Sequence, residues 1–148
     1  MTWAFRNRSD LIRIPNARNK NSFRIELRSP DSACNPYLAF ALILKSGLQG
    51  IEKGIEPPNP EQVNVYRLSD KERKQRGIDC LPSSLQQALD LTQKSQFVKD
   101  VFGNHLFKKF IENKKLHLLD YEKSFKNKRR VTNLVISDYE IEKLLPIL

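Results

Sequence analysis

Histidine and cysteine are scarce in this chain, and their scarcity removes several chemistries at once. Two histidines, His105 and His117, are too few and too scattered for a histidine metal centre. Two cysteines, Cys34 and Cys80, build neither a disulfide framework nor a zinc quartet, and they suit a reducing compartment. The five glycines form no glycine-rich phosphate loop, and no Ser/His/Asp set stands out. The longest apolar run, residues 37–44, is far shorter than the roughly 20 residues that span a bilayer. The opening Met1-Thr2-Trp3-Ala4-Phe5-Arg6 lacks the pattern of a signal peptide. Internal repeats and low-complexity tracts are missing too.

Positive charge, by contrast, is plentiful. Lys and Arg number 26 against 17 Asp and Glu, a net charge of +9. That favours anionic partners, with nucleic acid, anionic lipid and nucleotide phosphate all open. At 148 residues the chain is long enough for one ordinary domain with a core, and its composition fits a soluble, cytoplasmic protein.

The most informative stretch is Phe23-Arg24-Ile25-Glu26-Leu27-Arg28-Ser29-Pro30. Apolar and charged residues alternate strictly, which is the two-residue period of a half-buried strand. Phe23, Ile25 and Leu27 are expected to face a core, with Arg24, Glu26 and Arg28 in a row on the other face. Guanidinium groups hold anionic oxygens through bidentate contacts. A carboxylate among them can hold a hard cation such as magnesium that bridges those oxygens. The plainer reading of the row is a solvated sheet surface with cross-strand ion pairs.

The preceding residues shift the balance towards a site. Leu11-Ile12-Arg13-Ile14-Pro15 reads as a short strand, and the polar loop over residues 16–21 makes an antiparallel hairpin with the charged strand. Arg13 then shares a face with Arg24, Glu26 and Arg28, and Arg8 sits at its end. Four arginines around one glutamate repel one another unless anions fill the gap. Trp3, Phe5, Arg6 and Arg8 look like the interior of a sheet or site segment, so the chain reads as opening in mid-element, as a fragment does.

Downstream, the pattern is mainly helical. Asn35 as N-cap and Pro36 at the first helical position open a helix to about Lys53, with Gly54 as C-cap. That helix is apolar almost all round over residues 37–44 and is expected to be buried against the Phe23/Ile25/Leu27 face. Pro57-Pro58-Asn59-Pro60 breaks the chain. Capping boxes at Ser69-Asp70-Lys71-Glu72 and Ser137-Asp138-Tyr139-Glu140 open short helices, and Ser83 with Gln86 opens another. Residues 104–126 form the longest helical pattern, with Phe107, Phe110, Ile111, Leu118, Tyr121 and Phe125 near one stripe. Residues 104–130 hold nine basic and three acidic side chains. Such a run, Lys108 to Arg130, is usually a solvated face, and a nucleic-acid surface is the minority reading. The fold class expected is α+β: a partial antiparallel sheet packed on a buried helix, then a mainly helical C-terminal half.

In order and spacing, several stretches resemble the C-terminal part of a type I glutamine synthetase. They are Asn7-Arg8-Ser9, Ile12-Arg13-Ile14-Pro15, Arg24-Ile25-Glu26-Leu27-Arg28-Ser29-Pro30-Asp31 and Asn35-Pro36-Tyr37-Leu38-Ala39-Phe40. Gly47-Leu48-Gln49-Gly50-Ile51, Asn64-Val65-Tyr66, Arg76-Gly77-Ile78 and Leu81-Pro82-Ser83-Ser84-Leu85 extend the likeness. The resemblance implies that residues 1–148 are an incomplete catalytic domain. It implies that Arg8 contacts the transferring phosphoryl group and glutamate, and that Arg13 and Arg24 contact ATP phosphates. Glu26 would ligate magnesium or manganese, and Arg28 would grip glutamate. The reaction implied joins glutamate and ammonia at the expense of ATP, through γ-glutamyl phosphate.

The likeness also implies what is missing. An N-terminal β-grasp domain and an upstream catalytic half supply the remaining metal ligands, the ammonia site and the ATP-facing loop in that family, whose subunits stack as a homo-dodecamer. This chain by itself is expected to bind ATP weakly, if at all, to make no glutamine and to need those partners. Residues 125–134 look like an extra basic piece, a family loop lysine falls at Asn21 beside Lys20, and Tyr66 is expected to be structural. Two further readings stay open: a related ligase joining glutamate to an amine, and a basic nucleic-acid-binding module.

Overall fold

The computed structural model of the chain describes residues 2–124 and 136–147. The expected basic piece at residues 125–134 lies outside these described residues, and so do residues 131–135 of a short apolar run that the sequence shows at 131–136. The chain divides into two compact units, one of Met1–Asp31 with Glu52–Leu81, the other of Ser32–Ile51 with Pro82–Leu148.

The first unit is built on a three-stranded sheet of β1 (Trp3–Phe5), β2 (Ile12–Ile14) and β3 (Glu26–Leu27), in that order. The expected hairpin is present: β2 and β3 are antiparallel, with Ile12 opposite Leu27 and Arg13 opposite Glu26. The sheet as a whole is mixed, because β1 joins β2 in parallel, with Trp3 opposite Ile12. Parallel neighbours ordinarily need a connection of a dozen or more residues. Here residues 6–11 suffice because Arg6 adopts a left-handed backbone, φ 64°, and turns the chain sharply back. A non-glycine residue in that region is costly and must be held by its surroundings. The Arg6 amide donates to the Ile14 carbonyl at 3.0 Å, and its Nε donates to Asn16 Oδ1 at 2.6 Å.

The rest of this unit carries short, capped elements. Asn64 Oδ1 accepts from the Tyr66 amide and opens a single 3-10 turn, Val65–Arg67. The Ser69–Glu72 capping box opens α2 (Asp70–Gln75) as expected, and Gly77, at φ 67°, stops it.

In the second unit, Asn35 Oδ1 accepts from the Tyr37 and Leu38 amides and starts α1 (Pro36–Glu52), and Gly54 follows its end at φ 58°. The expected burial of this helix is not found. It has no buried residue, with Tyr37 83 % and Ile51 80 % exposed and Phe40, Leu44 and Leu48 also open. The surface expected to cover it is open as well, since Phe23 and Ile25 are exposed. An apolar helix hides its face only against matching apolar surface.

Helix α3 (Leu85–Lys94) is capped by Ser84, one residue later than expected. The two adjacent serines offer the same hydroxyl, and Ser84 places Gln87 to donate its amide at 3.2 Å. Ser83 instead donates to the Gln87 side chain. Helix α4 (Gln96–Ser124) breaks its geometry at Gly103, φ 70°, so a continuous helix runs from Asn104 as expected. Phe102 and Phe110 meet edge-on across the break, 5.5 Å between centroids. Leu89 of α3 and Ile111 of α4 are buried, each worth about 1.5–3 kcal/mol relative to exposure. The Ser137 capping box opens α5 (Asp138–Leu144), where Tyr139 donates its hydroxyl to Asp120 at 3.2 Å. The class is therefore α+β, a small mixed sheet followed by a mostly helical remainder.

Candidate functional site

The cross-strand register of β2 and β3 puts Arg13 directly opposite Glu26. Arg13 Nη1 donates to both Glu26 oxygens, at 3.1 and 2.8 Å. Arg24 Nη2 lies 3.6 Å from one oxygen of that carboxylate, and Arg28 Nη1 lies 4.0 Å from the other. Three guanidinium groups thus gather on a single carboxylate. The Arg13 bond chiefly, together with the fields of Arg13, Arg24 and Arg28, holds the Glu26 carboxyl below its ordinary range, against the desolvation that raises it. Glu26 remains 31 % exposed, so the cluster opens to solvent.

Arg13 also closes the loop that precedes it. Its Nε donates to the Arg6 carbonyl at 3.2 Å, so one side chain ties the left-handed turn to the carboxylate. Beside it lies an open groove of about 590 Å³, lined on its apolar side by Phe5, Ile14, Pro15 and Phe23.

Arg8 stands apart from this cluster. It is exposed, and it is not among the groups acting on Glu26. The residues on either side of it are gripped instead. Asn7 Nδ2 donates to the Val63 carbonyl at 2.9 Å, and Ser9 Oγ accepts from the Val65 amide at 3.0 Å. Neither contact is legible in sequence, because the partners lie 56 residues away. The local sequence, Asn7-Arg8-Ser9-Asp10, is polar and turn-prone, and such a run signals a turn and no distant partner.

Asp10, a residue type common in turns, is buried here. It is 2 % exposed, and neither carboxylate oxygen has a partner in full hydrogen-bond geometry. Burial pushes its carboxyl above the ordinary range, the nearby Thr2 hydroxyl tempers this, and the Glu61 carboxylate adds to it.

The basic helical run looks like a solvated face over its described part. Lys109 pairs with Glu112 at 3.0 Å and Lys108 with the same residue at 4.0 Å, while Lys114 sits 5.8 Å over the Phe110 ring. Among the described residues no three His, Cys, Asp or Glu side chains gather where they could hold a metal ion. Magnesium keeps waters and substrate phosphates among its ligands, so a site that uses it needs only some of its ligands from any one stretch of protein.

The family model for the glutamine synthetase catalytic domain matches residues 1–131. The chain belongs to this family. Similar proteins include the glutamine synthetase of Methanosarcina mazei, 50 % identical over 122 residues, 82 % of this chain and 27 % of the relative. That of Thermotoga maritima is 47 % identical over 112 residues, 76 % of this chain and 25 % of the relative. That of Clostridium saccharobutylicum is 33 % identical over 145 residues, 98 % of this chain and 30 % of the relative. The chain thus spans little more than a quarter of the length of these curated relatives. Among the described residues, no helix is long and apolar enough to cross a membrane.

Proposed function

We propose that this chain supplies one wall of a glutamine synthetase active site, as the C-terminal portion of an incomplete catalytic domain. The observation that carries the reading is the convergence of Arg13, Arg24 and Arg28 on Glu26. Three guanidinium groups around one carboxylate leave a cationic excess that a polyphosphate fills.

Each residue then has a task. Arg13 and Arg24 hold ATP phosphates. Glu26 is one ligand of a magnesium or manganese ion, which neutralises charge on the phosphates when bound. Arg28 grips the carboxylate of glutamate. Arg8 stabilises charge on the transferring phosphoryl group and touches glutamate. The glutamate γ-carboxylate attacks the γ-phosphorus of ATP, releasing ADP. Ammonia then displaces inorganic phosphate from γ-glutamyl phosphate to give glutamine. Such a transfer asks the protein for positioned cations rather than for a covalent group.

The rest of the ligands and the ammonia site come from the remainder of such a chain and from neighbouring subunits, in the cytoplasm. The chain on its own makes no glutamine. The test is a chimera in which this chain replaces the corresponding quarter of the Methanosarcina mazei enzyme. The chimera makes glutamine, and its Glu26→Ala form does not. An assembled chimera without activity, or glutamine formation by the isolated chain, overturns the reading.

A further inference from the structure

Residues 58–65 run alongside the first strand and the loop after it, in the same direction. Trp3 Nε1 donates to the Pro58 carbonyl at 2.6 Å, and the Glu61 amide donates to the Trp3 carbonyl at 2.9 Å. Asn7 then bonds Val63, and Ser9 bonds Val65, at a matched two-residue spacing. The last two contacts use side chains where a strand would use backbone, so the loop needs no ladder to be held.

The strap has its own internal bracing. Glu61 Oε1 accepts from the amides of Gln62 and Val63 at 3.0 and 3.3 Å, and the Glu61 carboxylate meets Arg76 Nη1 at 3.4 Å. The loop is braced as well: Asn7 Oδ1 accepts from the amide and the hydroxyl of Ser9, at 3.1 and 3.0 Å. Asn7 and Ser9 therefore share one closed network, and Arg8 is the residue between them.

We infer that residues 58–65 form a strap that positions Arg8, with Asn7 and Ser9 as its positioning residues. This rests on the phosphoryl-contacting role proposed for Arg8. An exposed arginine on a free loop samples many rotamers and backbone states, each of which must be frozen when an anion binds. Fixing the backbone on both sides removes much of that loss before binding. Ser9 acts through Arg8 and touches no phosphate itself.

The test uses the 148-residue chain with magnesium tripolyphosphate as probe, followed by calorimetry. Arg8→Ala and Ser9→Ala each weaken binding, Arg8→Ala by about tenfold. In the Arg8→Ala background, Ser9→Ala has no further effect, because its action runs through the missing guanidinium. Ser9→Thr keeps the hydroxyl and restores wild-type affinity. Wild-type affinity in Arg8→Ala, or no binding by wild type, removes the role of Arg8 and leaves the strap to the exchange measurement below. Loss in Arg8→Ala with none in Ser9→Ala, or equal losses from Ser9→Ala in both backgrounds, overturns the strap and leaves Arg8 its role. Amide hydrogen exchange decides the strap independently of binding. In Ser9→Ala the amides of Val65 and of residue 9 exchange at least about tenfold faster, with Arg28 unchanged, and Ser9→Thr restores both. An unchanged amide at residue 9 overturns the inference.

Discussion

Arg13 and Glu26 face each other across the antiparallel register of β2 and β3, and one guanidinium nitrogen donates to both carboxylate oxygens. The same arginine donates through Nε to the Arg6 carbonyl. Sheet register, loop closure and the charge of the candidate site therefore meet in one pair of side chains.

The pair should make stability depend on acid. The Arg13 bond and the neighbouring guanidinium groups lower the folded-state pKa of Glu26 below 4.5. A lowered carboxyl contributes stability that is fully present above the unfolded value and is lost as pH falls through the folded one. Chemical denaturation of wild type and Glu26→Gln, from about pH 7 down to about pH 3, checks this. Wild type is the more stable at neutral pH, and the gap closes in acid.

Asp10 has the opposite sign. Its carboxyl is buried, faces the Thr2 hydroxyl and the Glu61 carboxylate, and titrates above 3.8. A raised carboxyl costs stability once pH rises through the unfolded value towards the folded one. Asp10→Asn should stabilise the chain near neutrality by about 1 kcal/mol, with the difference vanishing in acid. Equilibrium denaturation at the two pH values measures it, and a neutral-pH loss in Asp10→Asn contradicts it.

The apolar face of α1 should drive association. Tyr37, Phe40, Leu44, Leu48 and Ile51 fall on one side of an α-helix and are all exposed. Contiguous apolar surface of this kind is a contact site or an aggregation liability. Sedimentation velocity should show concentration-dependent self-association of wild type. Phe40→Lys with Leu44→Lys should shift the chain to monomer while circular dichroism keeps its helix.

Local chemistry was legible in the sequence, and the burial of surfaces was not. The capping residues Asn35, Ser69 and Ser137 act where their spacing says, because a cap needs only its own turn. The Arg13–Glu26 pairing followed from strand alternation across a short hairpin. The burial of α1 did not, since an apolar run states a need for cover without supplying it. The parallel placement of β1 turns on a single left-handed residue, Arg6, which no sequence pattern marks. The grip of Val63 and Val65 on Asn7 and Ser9 joins positions too far apart for any local period to reveal.

The claim that Glu26 and its three arginines form a phosphate and metal wall is tested most directly by calorimetry. ATP is titrated into wild type and Glu26→Ala, each with and without magnesium. Magnesium should strengthen ATP binding to wild type and leave binding to Glu26→Ala unchanged. Equal heats for the two proteins in the presence of magnesium would contradict the account.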